Sequence, residues 1–154
     1  MTLLIDADWL IYSSCCACEQ DIQWDSNLHT LHADERDVHE MVDGRVAHYQ
    51  TIAEGDKNVV MCFTEYPTFR HTIYPEYKAN RKHKRKPLGL RKIIEGVKER
   101  YTSESYAGLE GDDVMSILAT SKKYDNPIIV SVDKDMRSVP VSYTHLTLPT
   151  RSYV

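Results

Sequence analysis

Three short apolar runs, residues 3–5 (LLI), 58–63 (NVVMCF) and 128–132 (IIVSV), are set apart by stretches whose apolar residues recur at helical spacing. Runs of that length read as buried strands. Between them, residues 9–18 suggest a first helix. Val38, Met41, Val42, Val46, Tyr49 and Ile52 line one face of a second, opened by Asp34 as N-cap and stopped at Gly55-Asp56. Leu90, Ile93, Ile94 and Val97 follow Pro87 on a third, and residues 109–124 form a fourth that begins with acids. Residues 20–34 are polar and irregular, a loop or an edge hairpin. Strands alternating with helices predict an α/β chain, with a mainly parallel central sheet flanked by helices. In such sheets function gathers at the carboxyl ends of the strands.

Acids stand at those ends. Asp6 follows the first run, Glu65 lies two residues past Phe63, and Asp133 and Asp135 follow the third. Glu110, Asp112 and Asp113 open the last helix, with Glu110 and Asp113 three apart on one face. Solvated carboxylates, or acids placed at the positive end of a helix dipole, account for Glu110 and Asp113 taken alone about as well. They account poorly for the whole set. Carboxylates converging on one sheet edge repel each other, and a bound cation offsets that cost. Oxygen ligands without paired His or Cys point to Mg2+ or Mn2+ rather than zinc. Several of them suit two ions and phosphodiester hydrolysis. Asp8 reads as a helix cap in preference to a supporting residue of the cluster.

The net charge of −4 over 154 residues hides a division. From Lys78 to Lys92 there are eight Lys and Arg and no acid, which leaves −12 on the remainder. Such a chain grips a polyanion with one part and holds cations with another. No apolar run approaches the roughly 18 residues of a membrane span. The N-terminus carries acids where an export signal carries positive charge, so a cytoplasmic location without membrane contact is expected. Cys15, Cys16, Cys18 and Cys62 are then expected to be reduced. Cys15 and Cys18 with His29 and His32 make a string that superficially suggests zinc. The cysteines continue an apolar helical stretch, however, and the His spacing is tighter than in a zinc finger. Residues 141–150 (VSYTHLTLPT) continue no periodicity and resemble read-through of a transposon sequencing adapter. Residues 141–154 are therefore set aside as a non-native tail, and residues 1–140 are taken as the domain.

LLIDAD, CFTEYPTFRHTIYPEYKANRK, LEGDDVMSILA and VSVDKDM, in that order, resemble the 5′-nuclease family. That family includes phage flap endonucleases and the N-terminal nuclease domain of bacterial DNA polymerase I. The resemblance covers about residues 2–139 and rests on the combination of motifs. It implies a PIN-like 5′-nuclease fold with a basic helical arch over about residues 66–86. It also implies a metal-dependent 5′-3′ exonuclease or flap endonuclease that cuts DNA by a two-metal mechanism.

Carried over residue by residue, Asp6, Glu110, Asp112, Asp113, Asp133 and Asp135 would bind Mg2+ or Mn2+, two ions in the complete protein. Glu65 would stand in for an Asp that the family places after its second strand. Asp112 and Asp133 would be central to catalysis. Tyr77 resembles the family's base-stacking aromatic, and Lys78 and Arg81 its cations near the scissile phosphate. Stacking of a frayed base on an aromatic, and stabilisation of charge at phosphorus by cations, are sound chemistry for these positions. Arg70 would anchor the arch base or a phosphate. For Lys82, Lys84, Arg85 and Lys86, specific DNA contact and diffuse attraction from a solvated loop explain the charge equally well.

The resemblance implies DNA with 5′ ends or 5′ flaps as partner, RNA–DNA primers as a further one, and a monomer. The family's further acid pair and Gly-rich hairpin have no counterpart after Asp135. The 154-residue chain is therefore expected to cut weakly or not at all by itself. Three rivals remain: a PIN-type ribonuclease, which lacks the YKANR arch; a Toprim-like module, whose acids come in another order; and a structure-specific DNA-binding module impaired in cleavage.

Overall fold

The computed structural model describes residues 1–54 and 58–139. The expected helix stop at Gly55-Asp56 and the tail from residue 141 lie outside the described residues. Four strands pair in parallel, β1 (Thr2–Asp6), β4 (Asn58–Cys62), β5 (Thr102–Glu104) and β6 (Pro127–Val130), in the order β5-β4-β1-β6. The separate strands β2 (Gln20–Asp25) and β3 (Leu28–His32) form an antiparallel hairpin of their own. The polar stretch after the first helix is thus a hairpin, and it pairs with no strand of the main sheet.

Alternation along β1 sends its two sides into two cores. Leu3 and Ile5 join Met61, Phe63, Ile128 and Val130 beneath α1 (Ala7–Cys18), α2 (Glu35–Ile52) and α4 (Leu90–Arg100). Leu4 joins Val60, Cys62 and Ile129 on the opposite side, against Val114, Met115 and Leu118 of α5 (Gly111–Thr120). The result is three layers, with helices on both faces of the sheet. The α2 stripe buries Val38, Val42, Val46 and Tyr49, while Ile52 at its end stays exposed. Asp34 caps α2 through a 2.8 Å bond from the Arg36 amide. α5 stops at Thr120, because the following Ser-Lys-Lys offers nothing apolar to bury. Among the described residues no helix is long and apolar enough to cross a membrane.

Two contacts, one partly buried and one exposed, tie the helices behind the sheet together. The Tyr101 hydroxyl donates to Asp43 Oδ1 at 2.6 Å, and Arg100 donates to Asp43 Oδ2 at 2.7 Å. Tyr101→Phe is expected to lower unfolding free energy by about 1 kcal/mol in urea titrations. An unchanged midpoint would mean that Arg100 alone holds Asp43.

The register of β1 places the first of the acids. Asp6 lies opposite Cys62, on the face that α5 covers and at the carboxyl edge of the sheet. The start of α5 and the exit of β6 reach the same edge.

Candidate active site

Asp6 closes β1 and caps α1, its Oδ1 accepting the Trp9 amide at 3.2 Å. Glu110 is the N-cap of α5 and is buried, and Asp112 and Asp113 occupy the first helical turn behind it. Asp133 follows β6, and its Oδ1 accepts the Asp135 amide at 2.9 Å, starting a 3-10 turn (Lys134–Ser138). Three separate segments therefore deliver carboxylates to one edge.

Their electrostatics show how close they come. Burial pushes the Asp6 carboxyl up to about 7, with Asp112, Asp8 and Asp133 adding repulsion against the capping bond from Trp9. Burial likewise pushes Asp112 up to about 6, with Asp133 and Glu110 adding repulsion and Lys78 opposing it. Among the described residues neither Asp6, Asp112 nor Asp133 has an ion-pair partner within 4.0 Å.

The other two acids are already met by cations from the segment after β4. This segment holds a five-residue helix, α3 (Phe69–Ile73), and one 3-10 turn (Ala79–Arg81), so regular helix makes up only part of the expected arch. Arg70 grips Asp113 with both ends of its guanidinium, at 2.6 and 2.9 Å, and lies 3.6 Å from Glu110. That fork holds the Asp113 carboxyl below its ordinary range. Lys78, in the left-handed region at φ 54°, donates to Glu110 Oε1 at 2.9 Å. The Tyr77 hydroxyl reaches Glu110 Oε2 at 3.5 Å, and its ring meets His71 edge-on, 5.4 Å between centroids. Tyr66 in turn meets His71 edge-on at 6.0 Å. Three rings thus run from the surface to the acids.

Asp6, Glu110, Asp112, Asp113 and Asp133 are brought together, with Arg70, Tyr77 and Lys78 beside them. Other expected residues stand apart. Glu65 is exposed, and its Oε2 accepts the Ser105 hydroxyl at 3.2 Å. Asp135 is exposed on the turn beyond Asp133. Arg81, Lys82, Lys84 and Lys86 are exposed. Arg85 is turned away to Glu19, which it grips at 3.0 and 2.6 Å while Glu19 also accepts the Leu88 amide at 2.7 Å. This clasp fixes the end of the basic segment to the end of α1, and no local pattern in the sequence announces it.

Asp8 corrects an expectation. It does not cap α1, because Asp6 holds that position. Its Oδ2 instead accepts the Thr64 amide at 2.9 Å, at the exit of β4. The Cys–His string is dispersed. Cys15 is buried in the core, Cys18 packs on Met41, and His29 and His32 sit on the hairpin beside Asp21 and Thr30.

Among the described residues no three His, Cys, Asp or Glu side chains are drawn closely enough together to enclose a cation. The chemistry of the donor set nevertheless fits one. Asp6, Asp112 and Asp133 are oxygen donors, partly or largely buried, mutually repelling and without a cation of their own, which suits a hard divalent ion.

Carboxylates converge at the carboxyl edge of a parallel sheet, with a basic segment folded over them, which is where α/β proteins of this class gather their function. The chain belongs to the 5′-3′ exonuclease family, matching the model of its N-terminal resolvase-like domain over residues 1–149. It is 30% identical over 148 residues to the exodeoxyribonuclease of Enterobacteria phage T3, covering 90% of this chain and 48% of that protein. The exonuclease of Escherichia phage T7 is also 30% identical, over 90% of this chain and 49% of its own length. A flap endonuclease Xni of Shewanella is 41% identical over 71 residues, 44% of this chain and 27% of that protein. The chain spans about half the length of the phage relatives it matches. Among solved structures, the 5′-exonuclease of T5 with bound zinc superposes with a TM-score of 0.61 at 16% identity, over 95% of this chain and 55% of that one. The T5 D15 protein co-crystallised with metal ions gives 0.60 at 15% identity, over 94% and 54%. These likenesses show that the fold is shared.

Proposed function

We propose that the full-length protein hydrolyses DNA phosphodiester bonds at 5′ ends or 5′ flaps, as a divalent-metal-dependent exonuclease or flap endonuclease. The observation that carries this reading is the convergence of Asp6, Asp112 and Asp133 at the carboxyl edge of the sheet. There burial and mutual repulsion hold Asp6 and Asp112 well above the usual carboxylate range. Asp6, Asp112 and Asp133, with Glu110, would hold the ions, two of them once Asp135 and further acids of the whole protein contribute. Asp113, gripped by Arg70, would join only by releasing it. Mg2+ or Mn2+ bound there would polarise the scissile phosphate and lower the pKa of water, so that hydroxide becomes available as the attacking nucleophile.

The remaining work falls to the chain's own side chains. Lys78 reaches the acids from the basic segment and would stabilise charge developing on the phosphate, with Arg81 as a second cation. Tyr77 offers a ring to an unpaired base, and Lys82, Lys84 and Lys86 attract the strand diffusely. Arg70 and Arg85 are engaged by Asp113 and Glu19 and act as anchors of the segment. The protein works as a monomer in the cytoplasm, with RNA–DNA primers as a further substrate.

The test is cleavage of a 5′-flap DNA by the full-length protein with and without Mg2+. Asp112→Ala is expected to reduce the rate by about a thousandfold or more, since it removes a ligand on which the ion's charge stabilisation rests. Metal-independent cleavage, or full activity of the variant, would sink the reading. Tight flap binding without cleavage by the folded protein would favour the DNA-binding module instead.

A further inference from the structure

Asp8 stands two residues beyond Asp6, in a helical turn that Asp6 already caps. Its carboxylate reaches out of α1 to the exit of β4, where Oδ2 accepts the Thr64 amide at 2.9 Å across 56 positions of sequence. The Thr64 hydroxyl in turn accepts the amide of Gly111, the first residue of α5, at 2.9 Å. A Cβ placed on Gly111 would stand 3.4 Å from Asp8 Oδ2 and 3.4 Å from the Cys62 carbonyl oxygen, so carboxylate and helix start are packed against each other. Three elements therefore meet at one carboxylate: the start of α1, which carries Asp6; the exit of β4; and the start of α5, which carries Glu110 and Asp112.

We propose that Asp8 is a positioning residue, which through Thr64 and Gly111 sets the separation of Asp6 from Asp112 and so tunes the cation affinity of the site without holding a cation itself. The proposal rests on the metal-binding reading above. Supporting groups of this kind change metal affinity by about 10–100-fold when removed. Asn at position 8 keeps a carbonyl oxygen that accepts the Thr64 amide, whereas Ala keeps nothing. Val at position 64 keeps the amide and loses the hydroxyl that receives Gly111.

The experiment is Mn2+ binding to the full-length protein, followed by titration calorimetry, with melting temperatures in chelator as a control for folding. Asp8→Asn is expected to bind within about threefold of the unaltered protein, and Asp8→Ala and Thr64→Val to bind about tenfold or more weakly. Equal loss in Asp8→Asn and Asp8→Ala would make Asp8 a ligand and overturn its positioning role. Unchanged affinity in Asp8→Ala would overturn it as well. If Asp8→Ala fails to fold, Thr64→Val against Thr64→Ser decides: only Ser keeps a hydroxyl, and equal affinities would overturn the relay. No Mn2+ binding by the unaltered protein would instead overturn the metal reading itself, and this proposal with it.

Discussion

Asp6→Asn is expected to stabilise the metal-free protein at pH 8 by about 2–4 kcal/mol, a rise in melting temperature of roughly 5–15 °C. The folded Asp6 carboxyl lies at about 7 against 3.8 for the ordinary group, the largest cause being burial. A carboxyl raised in this way contributes stability that is full below about pH 3.8 and is lost as pH climbs through about 7. At pH 8 the folded chain therefore carries a buried charge it would shed if it could. Asn removes the charge and still accepts the Trp9 amide, so the cap survives. The full shift would be worth about 4 kcal/mol, and coupling to Asp112 keeps the two contributions from adding.

The same repulsion predicts that Mg2+ raises the melting temperature more at pH 8 than at pH 5, and that Asp6→Asn loses most of this gain. Thermal melts at the two pH values, with Mg2+ or chelator, measure both. A variant no more stable than the unaltered protein at pH 8 would remove the electrostatic argument for a cation site.

Lys78→Met is expected to lower the cleavage rate of the full-length protein about 100- to 1,000-fold, with no rise in the Mg2+ concentration needed for half-maximal rate. Lys78 Nζ sits 2.9 Å from Glu110 Oε1, on the cluster's own carboxylate, and 4.9 Å from the centre of the Tyr77 ring. Removing it takes a positive charge from the place where phosphate charge would build. It also frees a Glu110 oxygen for an incoming cation, so metal affinity should hold or improve. A rate loss recovered by excess Mg2+ would show Lys78 to be an organiser of the metal site rather than a partner of the phosphate. Flap cleavage across a Mg2+ series separates the two.

The layered fold was legible because burial leaves a periodic trace. Strands buried on both faces read as uninterrupted apolar runs, and α2 showed its stripe from Val38 to Tyr49. β5 left no such trace. Its residues Thr102, Ser103 and Glu104 are polar, and it joins the sheet as an edge strand through pairing with Val60, Met61 and Cys62. Asp6 and Asp133 could be placed at the sheet edge because strand exits point there, whereas Asp112 lay off the face shared by Glu110 and Asp113 and took its expected role from the family resemblance. Glu65 could not be judged that way. It lies beyond the strand, where the chain is free to turn, and the turn carries it to Ser105.

What the sequence by itself determined is the alternation of strands and helices, the acids at the sheet edge and the basic segment after β4. These depend on residue type and spacing, which local geometry translates directly into faces and ends. Only the tertiary structure decided which acid meets which partner. Arg70 took Asp113, Lys78 took Glu110, Glu19 took Arg85, and Asp8 left the helix cap to Asp6 and bound Thr64. The physical reason is that each pairing joins residues 32 to 66 positions apart. A charged side chain fixes the sign of its partner, but the partner's identity depends on where the packing of α1, β4 and α5 brings the backbone.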